Sequence, residues 1–203
     1  MMNLDIKERS FAAEGIQLKH LLDVRDFMNH DTVTQIDKYN FAGRILEGEK
    51  DLADGFSKEE IIAKYGGQCL IGESKIQGNV LTNAGINLLW SLAVGGAGTT
   101  YAYANTAIAV GTGTSNPTDP TQTTLATETA RVQCDSGYPT YGTSQLVVFR
   151  STFTGLVANV HWQEFGVFNN ITSGGTMLNR KVSDQGTKTS GQTWQVSVTI
   201  TLS

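Results

Sequence analysis

Charged side chains are scarce in the second part of this sequence, and several other residue types are scarce throughout. Only 17% of the 203 residues are charged, and residues 81–203 hold only ten of the 34 charged side chains. This composition excludes a coiled coil and a highly charged disordered chain. Glycine, which occurs 22 times, and many Thr, Ser, Asn and Gln take the place of the missing charge, as is typical of a sheet protein with many turns.

The sequence also lacks the features of membrane, secreted and nucleic-acid-binding proteins. No apolar run reaches the length of about 18 residues that a membrane-spanning helix needs. The charged start MMNLDIKER is not followed by an apolar segment, so we expect no secretion signal. A net charge of −4 offers no basic surface for nucleic acid. We therefore expect neither a membrane nor a nucleic acid as a partner.

Cysteine and histidine are too few and too scattered to predict a metal or nucleophilic site. Cys69 and Cys134 belong to no Cys-x-x-Cys motif, which favours reduced thiols over a disulfide framework. His20, His30 and His161 form no His-x-x-x-His pair, and no Gly-x-Ser-x-Gly motif accompanies them. We expect no metal, no cofactor and no catalytic residue.

Two glycine-rich stretches differ from the loops that bind phosphate. Residues 95–100 lack the lysine of a P-loop and follow a predicted helix, whereas a phosphate loop precedes one. Residues 111–114 lack the third glycine of a dinucleotide-binding fingerprint. Both stretches predict turns.

The charge distribution divides the chain into two parts. Residues 1–80 carry 24 of the 34 charged side chains. We therefore predict a charged N-terminal extension with short helices over residues 1–78 and a compact β-rich body over residues 79–203.

Two short helices are predicted within the extension. Residues 16–29 form an amphipathic pattern in which Lys19, Asp23 and Asp26 lie away from the apolar stripe. That stripe consists of Leu18, Leu21, Leu22 and Met28. The second helix begins at the capping box Ser57-Lys58-Glu59-Glu60 and ends at the glycine pair 66–67.

A third helix is predicted over about residues 82–94, at the start of the body. Thr82 is a suitable N-cap, and the glycine pair 95–96 ends the helix. Its apolar residues recur at helical spacing, so we expect this stripe to lie on a sheet. The stripe consists of Ile86, Leu89, Trp90 and Ala93.

Strand patterns dominate the rest of the body. Apolar and polar residues alternate cleanly over residues 194–202, which predicts a half-buried strand. Further strands are predicted over residues 105–111, 146–154, 159–168 and 176–182, with turn residues between them. The fold class is therefore mainly β: an antiparallel β-sandwich or jelly-roll-like body with a mixed, partly helical N-terminal extension.

Glu164 is the acidic residue whose surroundings are most informative. If residues 159–168 form a regular strand, Glu164 lies on an apolar face, where a carboxylate must be paired, neutralised or displaced by a β-bulge. The residues expected to share its face are Val160, Trp162 and Phe168. Arg180 is the expected partner, with Arg131 and Arg150 as alternatives. We predict a structural Glu164–Arg180 pair rather than a catalytic acid.

Aromatic residues provide the only hint of a carbohydrate site. Packing in the core or an interface is their commoner role. The residues that could line a sugar-binding platform are Tyr101, Tyr103, Tyr138, Tyr141, Trp162 and Trp194. The segment 138–141, which contains two tyrosines and a proline, is the aromatic cluster that we expect to be exposed.

The order of short motifs in residues 79–203 resembles a family of tailed-bacteriophage virion proteins, described as tail-fibre, head-fibre or capsid-decoration proteins. The motifs are NVLTNAGINLL (79–89), IAVGTG (108–113), TLATETAR (124–131), EFGVFN (164–169), GGTMLNR (174–180) and VSVTI (196–200). The resemblance implies a non-enzymatic, β-rich module that is made in the host cytoplasm and assembles on a virion. It supplies no catalytic residue.

Within that family, the expected function is capsid decoration at the outer surface of the virion. A cement protein binds the major capsid protein in the assembled coat and thereby stabilises the coat by mass action. Copies of the chain are expected to associate with one another, for example as a trimer. Five apolar residues of the extension are the predicted contacts: Phe11, Ile16, Leu18, Leu21 and Leu22. The alternative is that they cover the sheet of their own body.

Two rival functions remain open at this point. A tail-fibre or baseplate component would use the same body as a symmetric oligomer whose loops bind host surface glycans. A glycan-active enzyme would need a pair of carboxylates, but any five acids, which is the number in residues 81–203, would offer such a pair.

Overall fold

The computed structural model describes residues 30–142 and 144–202. The predicted helix over residues 16–29 lies outside this part of the chain. So do the predicted partner contacts Phe11, Ile16, Leu18, Leu21 and Leu22.

The described residues form an antiparallel β-sandwich of two five-stranded sheets, which confirms the predicted fold class. The strands are β1 (His30–Asn40), β2 (Leu70–Gln77), β3 (Val80–Leu81), β4 (Ala107–Gly111), β5 (Glu128–Gln133), β6 (Thr140–Tyr141), β7 (Leu146–Phe153), β8 (His161–Phe168), β9 (Met177–Thr187) and β10 (Gln192–Leu202). One sheet has the order β2-β1-β10-β7-β6, and the other has the order β3-β9-β8-β4-β5.

The main hydrophobic core lies between the two sheets. Alternate residues of β10 enter it, from Trp194 to Ile200, as the sequence pattern predicts. The ring of Trp162 in β8 packs edge-on against the ring of Trp194, with the ring centroids 4.8 Å apart. Because both sheets contribute large side chains to one cluster, the sandwich has a single main core.

The predicted division of the chain at residue 78 is not the division that the structure shows. All eleven residues of β1 pair with β10, from His30 opposite Leu202 to Asn40 opposite Gln192, and β2 adds to the outer side of β1. Residues 30–77 are therefore part of the sandwich. The sequence pattern concealed β1 because its inward positions include Thr32 and Thr34, which are buried although they are polar.

Three α-helices connect strands in the described part of the chain: α1 (Ile45–Ala53), α2 (Lys58–Tyr65) and α3 (Asn83–Ala93). A short 3₁₀ helix (Gly67–Cys69) follows α2. A capping box in which Ser57 and Glu60 bond reciprocally starts α2, as predicted. Helix α1 was not predicted, because Arg44 at its N-cap makes no side-chain capping bond. Helices α1 and α2 cover a small second core around Tyr39, Phe41 and Leu52.

Helix α3 has the predicted position and cap but not the predicted burial. The Thr82 hydroxyl accepts a bond from the Gly85 amide and donates one to the Met177 carbonyl. However, Leu89 is 37% exposed and Trp90 is 57% exposed. Ala93 is also exposed, so the expectation that this stripe packs on a sheet is wrong for three of its four residues and holds only for the half-buried Ile86. The close contact of α3 with the sheet is at Gly85, where an added Cβ would lie 2.7 Å from Leu178 Cα.

Candidate functional site

A β-bulge decides where the Glu164 carboxylate lies. The register of β8 against β9 shifts between Trp162 and Glu164, so the two side chains do not share a face as a regular strand would require. Trp162 enters the main core, whereas Glu164 precedes the core residue Phe165 and therefore lies on the opposite face of the sheet. Displacement by a β-bulge is one of the three alternatives that the sequence left open for this acid, together with pairing and neutralisation.

The Glu164 side chain is fully buried and accepts four hydrogen bonds. Its Oε1 accepts from the Gly113 amide at 3.0 Å and from the Thr127 amide at 2.7 Å. Its Oε2 accepts from the Ala126 amide at 2.9 Å and from Arg180 Nε at 2.8 Å. Both oxygens are therefore engaged by donors that the fold holds in place.

Arg180 is the arginine that the structure places beside Glu164. Its Nη2 lies 2.6 Å from Oε2, although it is Nε that makes the well-directed hydrogen bond. The Nη1 atom donates to the Ser115 carbonyl at 2.8 Å and to Gln122 Oε1 at 2.5 Å. The pair therefore links β8 and β9 to the loop between β4 and β5.

The other two candidate arginines bind elsewhere. Arg131 pairs with Glu128, with Nη2 2.8 Å from Oε2, and its guanidinium lies 3.8 Å from the centre of the Phe168 ring. Arg150 pairs with Asp135, as described below. Of the three arginines, Arg180 alone bonds to Glu164.

Glycines 111 and 113 belong to this site, and the sequence pattern did not reveal their role. A Cβ on Gly111 would lie 2.9 Å from Glu164 Oε1, and a Cβ on Gly113 would collide with the same oxygen. The backbone must pass this close for the Gly113 amide to reach the carboxylate. The prediction of a turn over residues 111–114 did not include a bound carboxylate.

A second buried ion pair fixes the loop that precedes β6. Arg150 Nε donates to Asp135 Oδ2 at 3.0 Å, and the Thr152 amide donates to Asp135 Oδ1 at 2.9 Å. Burial raises the pKa of the Asp135 carboxyl, and the hydrogen bonds from Thr152 and the charge of Arg150 oppose that rise. The Arg150 guanidinium also lies 4.1 Å from the centre of the Tyr138 ring. Tyr138 is thereby held against β7.

An apolar groove lies beside this loop. It has a volume of about 850 Å³ and lies between α3, the segments 100–103 and 137–141, and one end of β7 and β10. None of the described residues that line it is charged. Several of its large side chains are exposed: Leu89 and Trp90 on α3, Tyr103, Tyr141 and Leu202.

Part of the segment 138–141, which the sequence predicted to be exposed, lines the groove, but Tyr138 and Pro139 are half-buried. Tyr141 is 84% exposed, and Tyr138 and Pro139 also line the groove. The contribution of Leu89 and Trp90 was missed, because helical spacing does not tell whether an apolar stripe faces its own sheet or an open cleft.

The side chains of Thr187, His161 and Asp184 form a chain of contacts from a hydroxyl through an imidazole to a carboxylate. His161 Nδ1 lies 3.1 Å from Thr187 Oγ1, and His161 Nε2 lies 2.9 Å from Asp184 Oδ1. The amide of Gly186 donates to the same Asp184 oxygen at 2.8 Å and lowers the pKa of that carboxyl, together with the bond from His161. His161 and Asp184 are exposed and lie outside the groove. The group joins the ends of β8 and β9.

The described residues contain neither a cluster of metal ligands nor a membrane-spanning helix. Over residues 30–142 and 144–202, no three His, Cys, Asp or Glu side chains are grouped as metal ligands would be. No helix of this part of the chain is long and apolar enough to cross a membrane.

The chain was compared with protein-family models, curated proteins and solved structures, and none of the three comparisons gives a match.

Proposed function

We propose that this chain is a non-enzymatic structural protein of a tailed-bacteriophage virion, most specifically a capsid decoration protein that binds the assembled coat and stabilises it. The resemblance of residues 79–203 to that family suggests the virion. The observation that supports a binding rather than a catalytic role is the apolar groove, which offers contact surface without charged groups. Exposed apolar surface of this kind is typical of protein interaction sites.

The buried polar residues support the non-enzymatic part of the proposal. The Glu164 carboxylate is saturated by three backbone amides and Arg180, and it has no access to solvent. A general acid or nucleophile must reach its substrate within hydrogen-bond distance. Glu164 therefore acts as a link between the strands and the loop, and a hydrolytic role would need a different acid.

The proposed partners are the major capsid protein and further copies of this chain. In the proposal, Phe11, Ile16, Leu18, Leu21 and Leu22 make apolar contacts with the coat. Ligand that binds only the assembled coat shifts the assembly equilibrium away from disassembly. The capsid should then resist heat and dilution better when the protein is bound.

Co-sedimentation with purified capsids that lack this protein tests the proposal. The full chain should bind at a fixed ratio to coat subunits, and a Leu18→Ser/Leu21→Ser/Leu22→Ser variant should bind more weakly. A Lys19→Ser/Asp23→Ser variant is the matched control, because it alters the same segment but leaves the apolar residues in place. If the full chain stays in the supernatant at every concentration tried, the decoration function is wrong.

A second candidate is a tail-fibre or baseplate component that binds host glycans. It is favoured by one observation, the exposed aromatic rings of Trp90, Tyr103 and Tyr141 along the groove. Sugars stack on such rings, but they also need hydrogen-bonding groups, which are few in this groove. Under this function the chain binds host cells, and Tyr141→Ala weakens that binding without changing co-sedimentation with capsids.

A further inference from the structure

The apolar groove leaves large side chains exposed in the described part of the chain. A surface of this kind is expected to have an occupant that covers it. Trp90 is 57% exposed and Leu202 is 42% exposed, although both line a cleft of about 850 Å³. Covering such a surface is favourable by about 25 cal/mol for each Å² of apolar area removed from water. The absence of charge along the described lining favours an apolar occupant.

The chain itself enters the sandwich at the rim of this groove. Strand β1 begins at His30, and His30 is the register partner of Leu202 in β10. Leu202 lines the groove. The segment that precedes β1 is therefore joined to the described chain at His30, which is an attachment point beside the groove residue Leu202.

The segment next to that attachment point has the composition of a groove ligand. Seven of the fourteen residues 16–29 are large and apolar, namely Ile16, Leu18, Leu21, Leu22, Val24, Phe27 and Met28. As a helix, this segment would be about 21 Å long and would place Lys19, Asp23 and Asp26 together on one side, with Arg25 as the one charged residue on the apolar side. A helix with so wide an apolar face needs a partner surface.

We propose that residues 16–29 occupy the apolar groove of their own chain in the isolated protein. Attachment at residue 29 gives the segment an effective concentration on the order of millimolar at the groove, which a second copy or another protein does not reach at ordinary concentrations. Docking covers Trp90, Tyr141 and Leu202, leaves Lys19, Asp23 and Asp26 in water, and requires the long side chain of Arg25 to reach the rim of the groove. The proposal does not depend on the decoration function. A coat that binds the same apolar residues would compete with the groove for them.

The fluorescence of Trp90 in the intact chain tests this proposal. The chain has three tryptophans, and the other two, Trp162 and Trp194, are buried in the main core. A Trp90→Phe variant identifies the contribution of Trp90 to the emission. In the full chain, we expect Trp90 to be protected from acrylamide. In a Leu21→Ser/Leu22→Ser variant, quenching should rise and the emission should shift to the red.

The controls separate docking from unfolding and from association. The Lys19→Ser/Asp23→Ser variant should keep the protection, and all variants should retain the far-ultraviolet circular dichroism of the parent chain. Protection that does not change on dilution, at the mass of a single chain, supports the proposal. Protection that is lost on dilution together with a dimer shows that a second copy fills the groove and overturns it. A Trp90 that is equally quenchable in parent and Leu21→Ser/Leu22→Ser chains also overturns it.

Discussion

At the scale of single residues, the molecule uses its few interior charges to hold loops in place. Glu164 is bound by three backbone amides from the loop between β4 and β5, and Arg180 carries the compensating charge. A buried ion pair contributes modestly to stability when both partners are present, but the loss of one partner leaves an uncompensated charge. The cost of breaking this pair is therefore expected to exceed that of breaking any exposed pair.

Glu164→Gln should lower the free energy of unfolding by about 3 kcal/mol. The neutral amide leaves Arg180 without its counter-charge and turns an NH₂ group toward backbone N–H donors. Denaturant unfolding monitored by tryptophan fluorescence measures the change. Glu73→Gln is the control, since Glu73 pairs with Lys58 at the surface and should cost less than about 1 kcal/mol. Equal effects of the two substitutions would show that the buried pair does not stabilise the fold.

Lys188 is a further buried cation, and its surroundings predict an unusually low pKa. Its Nζ donates to the carbonyls of Thr154 and Val157 and to Asn159 Oδ1 at 2.6 to 2.9 Å. Burial lowers the pKa of Lys188 from 10.5 to about 8, and the nearby charge of Glu49 opposes that shift. A ¹³Cε chemical-shift titration should show one lysine with a midpoint near pH 8 that is missing in Lys188→Met.

The sign of the pH dependence follows from the lowered pKa. Between pH 8 and pH 10.5 the unfolded chain holds a proton on Lys188 that the folded chain has released. The contribution of this group to the free energy of unfolding therefore rises with pH across that window and is smallest below pH 8. A contribution that falls with pH, measured as the difference between the parent chain and Lys188→Met, would contradict the lowered pKa.

At the scale of secondary-structure elements, the cap of α3 and one glycine determine where the helix starts and how closely it approaches β9. Thr82 caps the helix and also bonds to the Met177 carbonyl, so the helix start is fixed to β9. Gly85 lets the helix backbone approach Leu178 closely. The sequence predicted the cap and the length of this helix well, because both depend on local hydrogen bonds. It did not predict which face is open, because that depends on a distant strand.

Gly85→Ala should destabilise the protein although alanine favours helices by about 1 kcal/mol over glycine. The added Cβ would lie 2.7 to 2.8 Å from backbone atoms of Met177 and Leu178, which cannot move without disturbing β9. We expect a net loss of about 2 kcal/mol in thermal or denaturant unfolding. Asn87→Ala, at an exposed position of the same helix, should be neutral or slightly stabilising. A gain in stability for Gly85→Ala would mean that α3 does not contact β9 in this way.

At the scale of the whole molecule, the main difference between the prediction and the structure is the residue at which the folded unit begins. The sequence predicted a body that starts at residue 79, whereas β1 is an internal strand of the sandwich, between β2 and β10. Without β1, the edge of β10 would be left unpaired over its full length, and the inward face of that sheet would lose Ile36. Any experiment that removes the first 78 residues would therefore remove part of the sandwich.

A chain of residues 79–203 should fail to fold, whereas a chain of residues 30–203 should keep the sandwich. The first lacks two of the five strands of one sheet, and the second keeps all the strands that the structure describes. Circular dichroism and cooperative thermal unfolding measure the difference. A soluble, cooperatively unfolding 79–203 chain would show that β1 and β2 are not needed for folding, which would restore the predicted boundary.

The sequence by itself determined the features that depend on local periodicity and local chemistry. These include the β-sandwich class, the C-terminal strand β10, the capped starts of α2 and α3, and the need of Glu164 for a partner such as Arg180. Strand alternation and capping bonds involve residues close together in the chain, so a short stretch of sequence reveals them. The cost of an unpaired buried charge is the same in any fold, so it can be stated without knowing the structure.

Only the tertiary structure decided how distant segments meet. It placed β1 inside a sheet between β2 and β10, moved Glu164 to the other face through a bulge, assigned Gly111 and Gly113 to the carboxylate, and opened a groove where an apolar stripe was expected to be covered. Polar threonines can lie inside a sandwich, and a one-residue bulge reverses the face of a strand. Neither event leaves a periodic signal in the sequence, because both are decided by pairing between residues far apart in the chain.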